Sequence, residues 1–238
     1  EEELADNARI VRLDCGPRRY LRKESLWPHL GGFVDQALQF MRSTGRVPDV
    51  IHSHYADAGF VGARLADLLG VPLVHTGHSL GRDKRARLLE KGTKESRIEE
   101  VYNMSQRIEA EEFTLDRASL VIASTNQEVE QQYARYDNYQ PRRMTVIPPG
   151  VDLSRFHPPH HYDPEPAIRR EIVRFLDQPK KPMILAMSRP DERKNILSLI
   201  QAYGENEALK DKANLVIIAG NRDDIEQVEK GPRHVLNQ

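Results

Sequence analysis

Short apolar runs of strand length alternate along this chain with longer stretches whose apolar residues return every three or four positions. Residues 8–13 predict a strand. A polar loop then leads to a helix over about 32–42, where Phe33, Ala37, Leu38 and Met41 share a face. Residues 50–54 (VIHSH) predict the next strand, followed by a helix over 58–69 that Gly70 ends with Pro72 beyond. Another strand is expected at 71–75. The charged stretch 95–116 carries Ile98, Val101, Ile108 and Phe113 on one stripe and predicts a long helix. A β-rich run at 119–123, a helix starting near Thr125 or Asn126, and a strand at 144–147 stopped by Pro148 and Pro149 complete the series.

Strands alternating with helices predict a doubly wound α/β fold with parallel sheets and right-handed crossovers. Between residues 156 and 182 the composition turns rich in proline and histidine, around one amphipathic stretch at 168–176. This reads as a linker. A second alternation follows, with strands at 183–187 and 215–220 and a helix over 195–203 between them. The expected organisation is a first domain over 1–158, a linker over 159–181 and a second, shorter unit over 182–238. Two strands are too few for a closed α/β domain, so the second unit is expected to be truncated.

Composition narrows the function classes. With 35 Lys+Arg against 36 Asp+Glu the formal net charge is −1, which argues against a nucleic-acid partner. No window reaches the ~18 uninterrupted apolar residues of a membrane helix. The opening Glu1-Glu2-Glu3 lacks the basic and apolar regions of a secretory signal, and Cys15 is the single cysteine. A lone cysteine forms no internal disulfide and no Cys-rich zinc site, so a reducing, cytoplasmic setting is expected.

Three groups of residues could carry chemistry. The segment 75–84 (HTGHSLGRDK) directly follows a predicted strand, where ligands of open α/β sheets bind. Gly77 and Gly81 would permit close backbone approach, while Ser79 and Lys84 would offer a hydroxyl and a cation to an anion. His52 and His54, two apart on a strand, point the same way. That spacing is compatible with a metal-dependent hydrolase, but no acidic residue stands at a partnering offset, and strand-end histidines satisfied by backbone hydrogen bonds are the favoured reading. His75 and His78 lie nearby, whereas His157, His160 and His161 fall in the proline-rich stretch and are expected to be solvated. The third group, residues 188–195 (SRPDERKN), brings Arg189 and Lys194 to the end of a strand and the start of a helix, a place that favours a diphosphate. Arg107 beside several carboxylates, and Lys23, read by themselves as surface ion pairs. Walker A and G-x-G-x-x-G patterns are absent from the sequence.

Taken together, PDVIHSHYADAG (48–59), HTGHSLGRDK (75–84), RIEAEE (107–112), VIPPGVD (146–152) and SRPDERKN (188–195) resemble the retaining glycosyltransferases of family 4, the two-Rossmann-domain type also called GT-B. Within that family, HSLG with its following lysine and GPRRYLRKESLWP (16–28) look most like the sucrose-phosphate synthases. The resemblance implies transfer of glucose from UDP-glucose to fructose 6-phosphate, with no cofactor required and no motif implying Mg. It places Lys23, Ser79, Lys84 and Arg107 at the acceptor phosphate, His78 at the transferred glucose, and Arg189 and Lys194 at the donor diphosphate. Two family features have no counterpart here, an opening strand with a Gly-rich loop and a two-glutamate motif deeper in the second domain. An incomplete, slow or inactive chain is therefore expected. Rival readings are a mannosylfructose-phosphate synthase using GDP-mannose, a sucrose synthase, the metal hydrolase of His52 and His54, and a non-catalytic sugar-phosphate binding module.

Overall fold

The computed structural model describes residues 1–158 and 166–220, which form two compact units, Glu1–Asp152 and a second beginning at Leu153. The first unit opens with a hairpin. β1 (Glu2–Ala5) pairs antiparallel with β2 (Ala8–Ile10), so the strand expected at 8–13 is shorter and stands outside the parallel sheet. The polar Asp6-Asn7 pair turns the chain straight back, and both strands remain exposed.

Helix α1 (Leu30–Thr44) ends at Gly45, whose φ of 64° lets its N–H and that of Arg46 close onto the last-turn carbonyls. Strand β3 (Ile51–His54) runs directly into α2 (Tyr55–Leu69), three residues earlier than the periodicity predicts. β4 (Leu73–Thr76) is followed by α3 (Gly81–Glu90), a helix that the hydrophobic periodicity does not predict. The expected long helix is two helices, α4 (Glu95–Tyr102) and α5 (Met104–Arg117). Asn103 between them adopts φ 45°, the left-handed conformation that asparagine tolerates better than most residues. β5 (Leu120–Ala123) leads to a wide π turn over Glu128–Gln132 and a 3₁₀ turn over Tyr133–Arg135, where a regular helix was expected. β6 (Met144–Val146) completes the sheet.

The four strands β3-β4-β5-β6 lie parallel and adjacent in chain order. Helix α2 packs closely because its inner face is small. A Cβ added at Gly59 would sit 2.8 Å from Thr114 Oγ1 of α5, and one at Gly62 would sit 3.0 Å from Ser53 Cβ of β3. Two apolar clusters result. Leu30, Val34 and Ala37 of α1 join Val61 and Leu65 of α2, while Leu73, Ile98, Met104, Ile108, Leu115 and Tyr133 pack together in the other.

In the second unit α6 (Ala167–Val173) precedes β7 (Met183–Ser188), α7 (Ile196–Gly204), α8 (Glu207–Lys212) and β8 (Asn214–Ala219). β7 and β8 pair in parallel over six residues. The short helix α8 escaped the periodicity reading, and its start is capped by Asn206, whose side chain accepts from the Leu209 N–H at 3.0 Å. No described helix is long and apolar enough to cross a membrane.

One buried titratable group of the sheet makes stability depend on pH. His75 on β4 is 1% exposed, with Nδ1 3.0 Å from Ser53 Oγ. Burial, helped by the charges of His54, His52 and His78, pushes its pKa down from 6.5 to about 4. The unfolded chain thus takes up a proton that the folded chain refuses. The stabilisation is complete above pH 6.5 and is lost as pH falls toward 4, about 3 kcal/mol in all. Urea unfolding between pH 7 and 4.5 is expected to show a steeper acid loss for the wild type than for His75→Gln. Parallel slopes would show that His75 contributes nothing to it.

Candidate functional site

Just past the carboxyl ends of β3 and β4 stand two strained residues, Tyr55 at φ 77° and His78 at φ 58°. Around Tyr55 three cations from separate parts of the first unit converge. Lys23, Lys84 and Arg107 line one pocket together with Glu24, Trp27, Tyr55, Asp57 and Tyr102. Lys23, in a 3₁₀ turn at Lys23–Ser25, donates from Nζ to Tyr55 Oη at 2.7 Å. Lys84, in the first turn of α3, holds its ammonium 3.6 Å from the Tyr102 ring centroid. The Arg107 guanidinium lies 4.8 Å from the Tyr55 ring centroid. Aromatic faces thus carry charge that like-charged neighbours would otherwise push apart.

Arg107 is not the surface ion pair that its local sequence suggests. It is 5% exposed, and Nε donates to Oε1 of the equally buried Glu111 at 2.9 Å. Its Nη2 donates to the Ser79 carbonyl oxygen and lies 3.4 Å from Ser79 Oγ. Ser79 is therefore joined to the cation pocket through Arg107. Next to Glu111, Glu112 accepts from Arg82 Nη2 at 2.7 Å and from the Asp137 and Asn138 N–H groups at 2.9 and 3.0 Å. The two glutamates fasten α5 to α3 and to the segment after β5.

The glycines of 75–84 serve the protein's own packing. A Cβ at Gly77 would meet Tyr133 Oη at 2.6 Å, and one at Gly81 would meet Glu111 Oε2 at 2.7 Å. The close backbone approach expected for a ligand is made by internal side chains instead. Tyr133 Oη accepts the Gly77 N–H at 3.1 Å. Burial, with the Glu128 and Glu111 charges adding to it and the Gly77 hydrogen bond opposing, pushes its phenol up to about 12.

The strand-end histidines bond to side chains, not to the backbone. His52 Nε2 lies 2.9 Å from Thr76 Oγ1, and His54 Nδ1 lies 2.8 Å from His78 Nε2. The rings of His52 and His54 sit 4.3 Å apart, confirming that they face the same way, with His78 next in the stack. Burial, then the His52 and His78 charges, lowers the pKa of His54. Among the described residues no group of three or more His, Cys, Asp or Glu is arranged to hold a metal ion. His157 Nδ1 lies 3.0 Å from the Pro158 carbonyl oxygen; His160 and His161 lie outside the described residues.

In the second unit Arg189 and Lys194 follow β7, both exposed, on either side of the buried Pro190. The Asp191 N–H donates to the Arg189 carbonyl at 2.9 Å and the Lys194 N–H to the Asp191 carbonyl at 2.8 Å. This tight turn delivers the chain through Asn195, at φ 52°, into α7.

Residues 1–150 match the glycosyl transferase 4-like domain family. The chain belongs to that family. Over 278 aligned residues covering 96% of it, this glycosyl transferase 4-like chain is 42% identical to probable sucrose-phosphate synthase 1 of Oryza sativa subsp. indica. It is also 42% identical to sucrose-phosphate synthase 4 of Arabidopsis thaliana over 95% of its length. It spans about a quarter of those relatives, 26% and 27% respectively. Among solved structures it is similar to a sucrose-phosphate synthase from Thermosynechococcus elongatus, with TM-score 0.66 and 25% identity, covering 95% of this chain and 50% of that one. Anabaena HepE, solved in complex with UDP and glucose, matches with TM-score 0.50 and 18% identity over 81% of this chain and 44% of its own. The fold is thus Rossmann-like α/β of the GT-B class, as the alternation and the family resemblance predict.

Sequence reading missed Tyr55, Tyr102 and Glu111. Glu111 stands four residues after Arg107, a spacing that did signal an ion pair but not its burial. Replacing Gly77 or Gly81 by alanine is expected to lower stability by about 1–3 kcal/mol, since the crowding atoms belong to buried side chains. Gly32→Ala in α1, where nothing lies within 4 Å, should instead raise it by roughly 0.5–1 kcal/mol. Thermal melts of the three variants test both signs.

Proposed function

We propose that this chain is the acceptor-binding domain and the start of the donor-binding domain of a sucrose-phosphate synthase. The reaction is transfer of glucose from UDP-glucose to the 2-hydroxyl of fructose 6-phosphate, giving sucrose 6-phosphate and UDP. One observation carries the reading: Lys23, Lys84 and Arg107 converge on a single pocket at the carboxyl edge of the parallel sheet. The pocket also holds Glu24 and Asp57, whose carboxylates suit the hydroxyls of a sugar, so both halves of a sugar phosphate find matching chemistry. The sucrose-phosphate synthases among its relatives support the same acceptor, and HepE, solved with UDP and glucose, supports a nucleotide-sugar donor.

In this reading residues 1–158 hold the acceptor, and residues from 182 onward contribute Arg189 and Lys194 to the donor diphosphate, joined by 159–181. Breaking the anomeric C–O bond leaves negative charge on the UDP oxygen. Fixed cations at a helix start stabilise that charge more in the transition state than before it. The leaving phosphate oxygen takes the acceptor hydroxyl's proton as the new glycosidic bond forms. His78 reaches toward the glucose; its Nε2 is held by His54, which leaves Nδ1 to meet a sugar hydroxyl. The cation pocket selects a phosphorylated acceptor, since free fructose leaves those charges uncompensated.

Calorimetric titration of the chain should show fructose 6-phosphate binding well above fructose. Lys84→Ala is expected to weaken fructose 6-phosphate by roughly 10–100-fold, the equivalent of about 1.5–3 kcal/mol, with UDP affinity unchanged. Arg189→Ala or Lys194→Ala should weaken UDP and spare the sugar phosphate. Equal affinity of the wild type for fructose and fructose 6-phosphate would overturn the assignment.

A further inference from the structure

Glu111 is the most enclosed carboxylate next to the cation pocket, at 2% exposure, and it does not line that pocket. Its two oxygens gather donors from three separate parts of the first unit. The Gly81 N–H, first of α3, donates to Oε1 at 3.1 Å and to Oε2 at 2.9 Å. Arg107 Nε of α5 donates to Oε1 at 2.9 Å. The Tyr136 hydroxyl, from the segment after β5, donates to Oε2, and its oxygen accepts the Arg82 N–H at 3.1 Å. A carboxylate at a helix start satisfies an otherwise unpaired N–H and meets the positive end of the helix dipole.

What these bonds connect is the pocket's own charge. α3 carries Lys84 one turn from Gly81, and α5 carries Arg107. A single carboxylate therefore fixes the start of the helix bearing one cation and the guanidinium of the other. We propose that Glu111 is the positioning residue of the acceptor-phosphate pocket, setting the separation between the Lys84 and Arg107 charges without touching the ligand. The proposal rests on the fructose 6-phosphate reading above and adds a residue to it. Cation spacing decides phosphate affinity because bidentate and multi-point recognition falls steeply with displacements near 1 Å.

The test uses Glu111→Gln, which keeps length and removes charge, and Glu111→Asp, which keeps charge and withdraws it by one methylene. Each variant is first shown to be folded by circular dichroism, then titrated with fructose 6-phosphate and with fructose. The expected result is a loss of fructose 6-phosphate affinity on the order of 10-fold in each folded variant, with fructose binding moved much less, so that the ratio of the two affinities falls. A purely structural role would move both sugars together or neither. Should Glu111→Gln not fold, Glu111→Asp decides alone. An unchanged affinity ratio in a folded variant, beside a wild type that prefers the phosphorylated sugar, overturns the positioning role and leaves the acceptor assignment standing. A wild type without that preference overturns both.

Discussion

The buried pair of Arg107 and Glu111 is the constraint on which the rest of the first unit's architecture turns. Taking both charges out of water costs several kcal/mol each, and their mutual attraction offsets this only when every remaining donor and acceptor finds a partner. Here the carboxylate receives Gly81, Tyr136 and Arg107, and the guanidinium also reaches Ser79. A pair so satisfied admits few alternative arrangements. The segment after β4, the helices α3 and α5 and the turn near Tyr136 are specified together, and a shift of any one would strand a charge in the interior.

Three cations around one pocket pose the opposite problem, since they repel. The molecule answers with aromatic rings. Lys23 and Arg107 share Tyr55, and Lys84 rests on Tyr102. Ring faces attract cations without neutralising them, so the pocket keeps its appetite for an anion while its side chains stay in place. Tyr55 meets both neighbours from a backbone conformation that bulky residues rarely adopt, a local cost of order 1–3 kcal/mol that the surrounding packing sustains.

The alternation of strands and helices was plain in the sequence because β3 to β5 and α1, α2 and α5 each bury residues of a repeating pattern. α3 was not legible. Its sequence, GRDKRARLLE, offers no apolar stripe, and it is held by hydrogen bonds at its start and by ion pairs such as Arg82 with Glu112. Nor was the break at Asn103, because the stripe of Ile98, Val101, Ile108 and Phe113 continues across it as if the helix did. At the site, the cations were legible through the family motifs, while Tyr55, Tyr102 and Glu111 were not. Their roles arise from which residues the fold sets opposite them, and a linear pattern does not contain that information.

The joint between α4 and α5 makes chain length count there more than chemistry. Tyr102 is the last residue of one helix and Arg107 lies in the opening turns of the next, with Asn103 alone between them. One residue added at that corner would change which face the second helix turns to the core, since neighbouring residues of a helix point about 100° apart. The arginine would leave its seat while the tyrosine kept its own. A glycine could replace the asparagine at little cost, but the count of residues could not change: a longer corner would carry Arg107 and Glu111 away from Ser79, Gly81 and Tyr136 together, so ligand recognition and folding would fail at the same point.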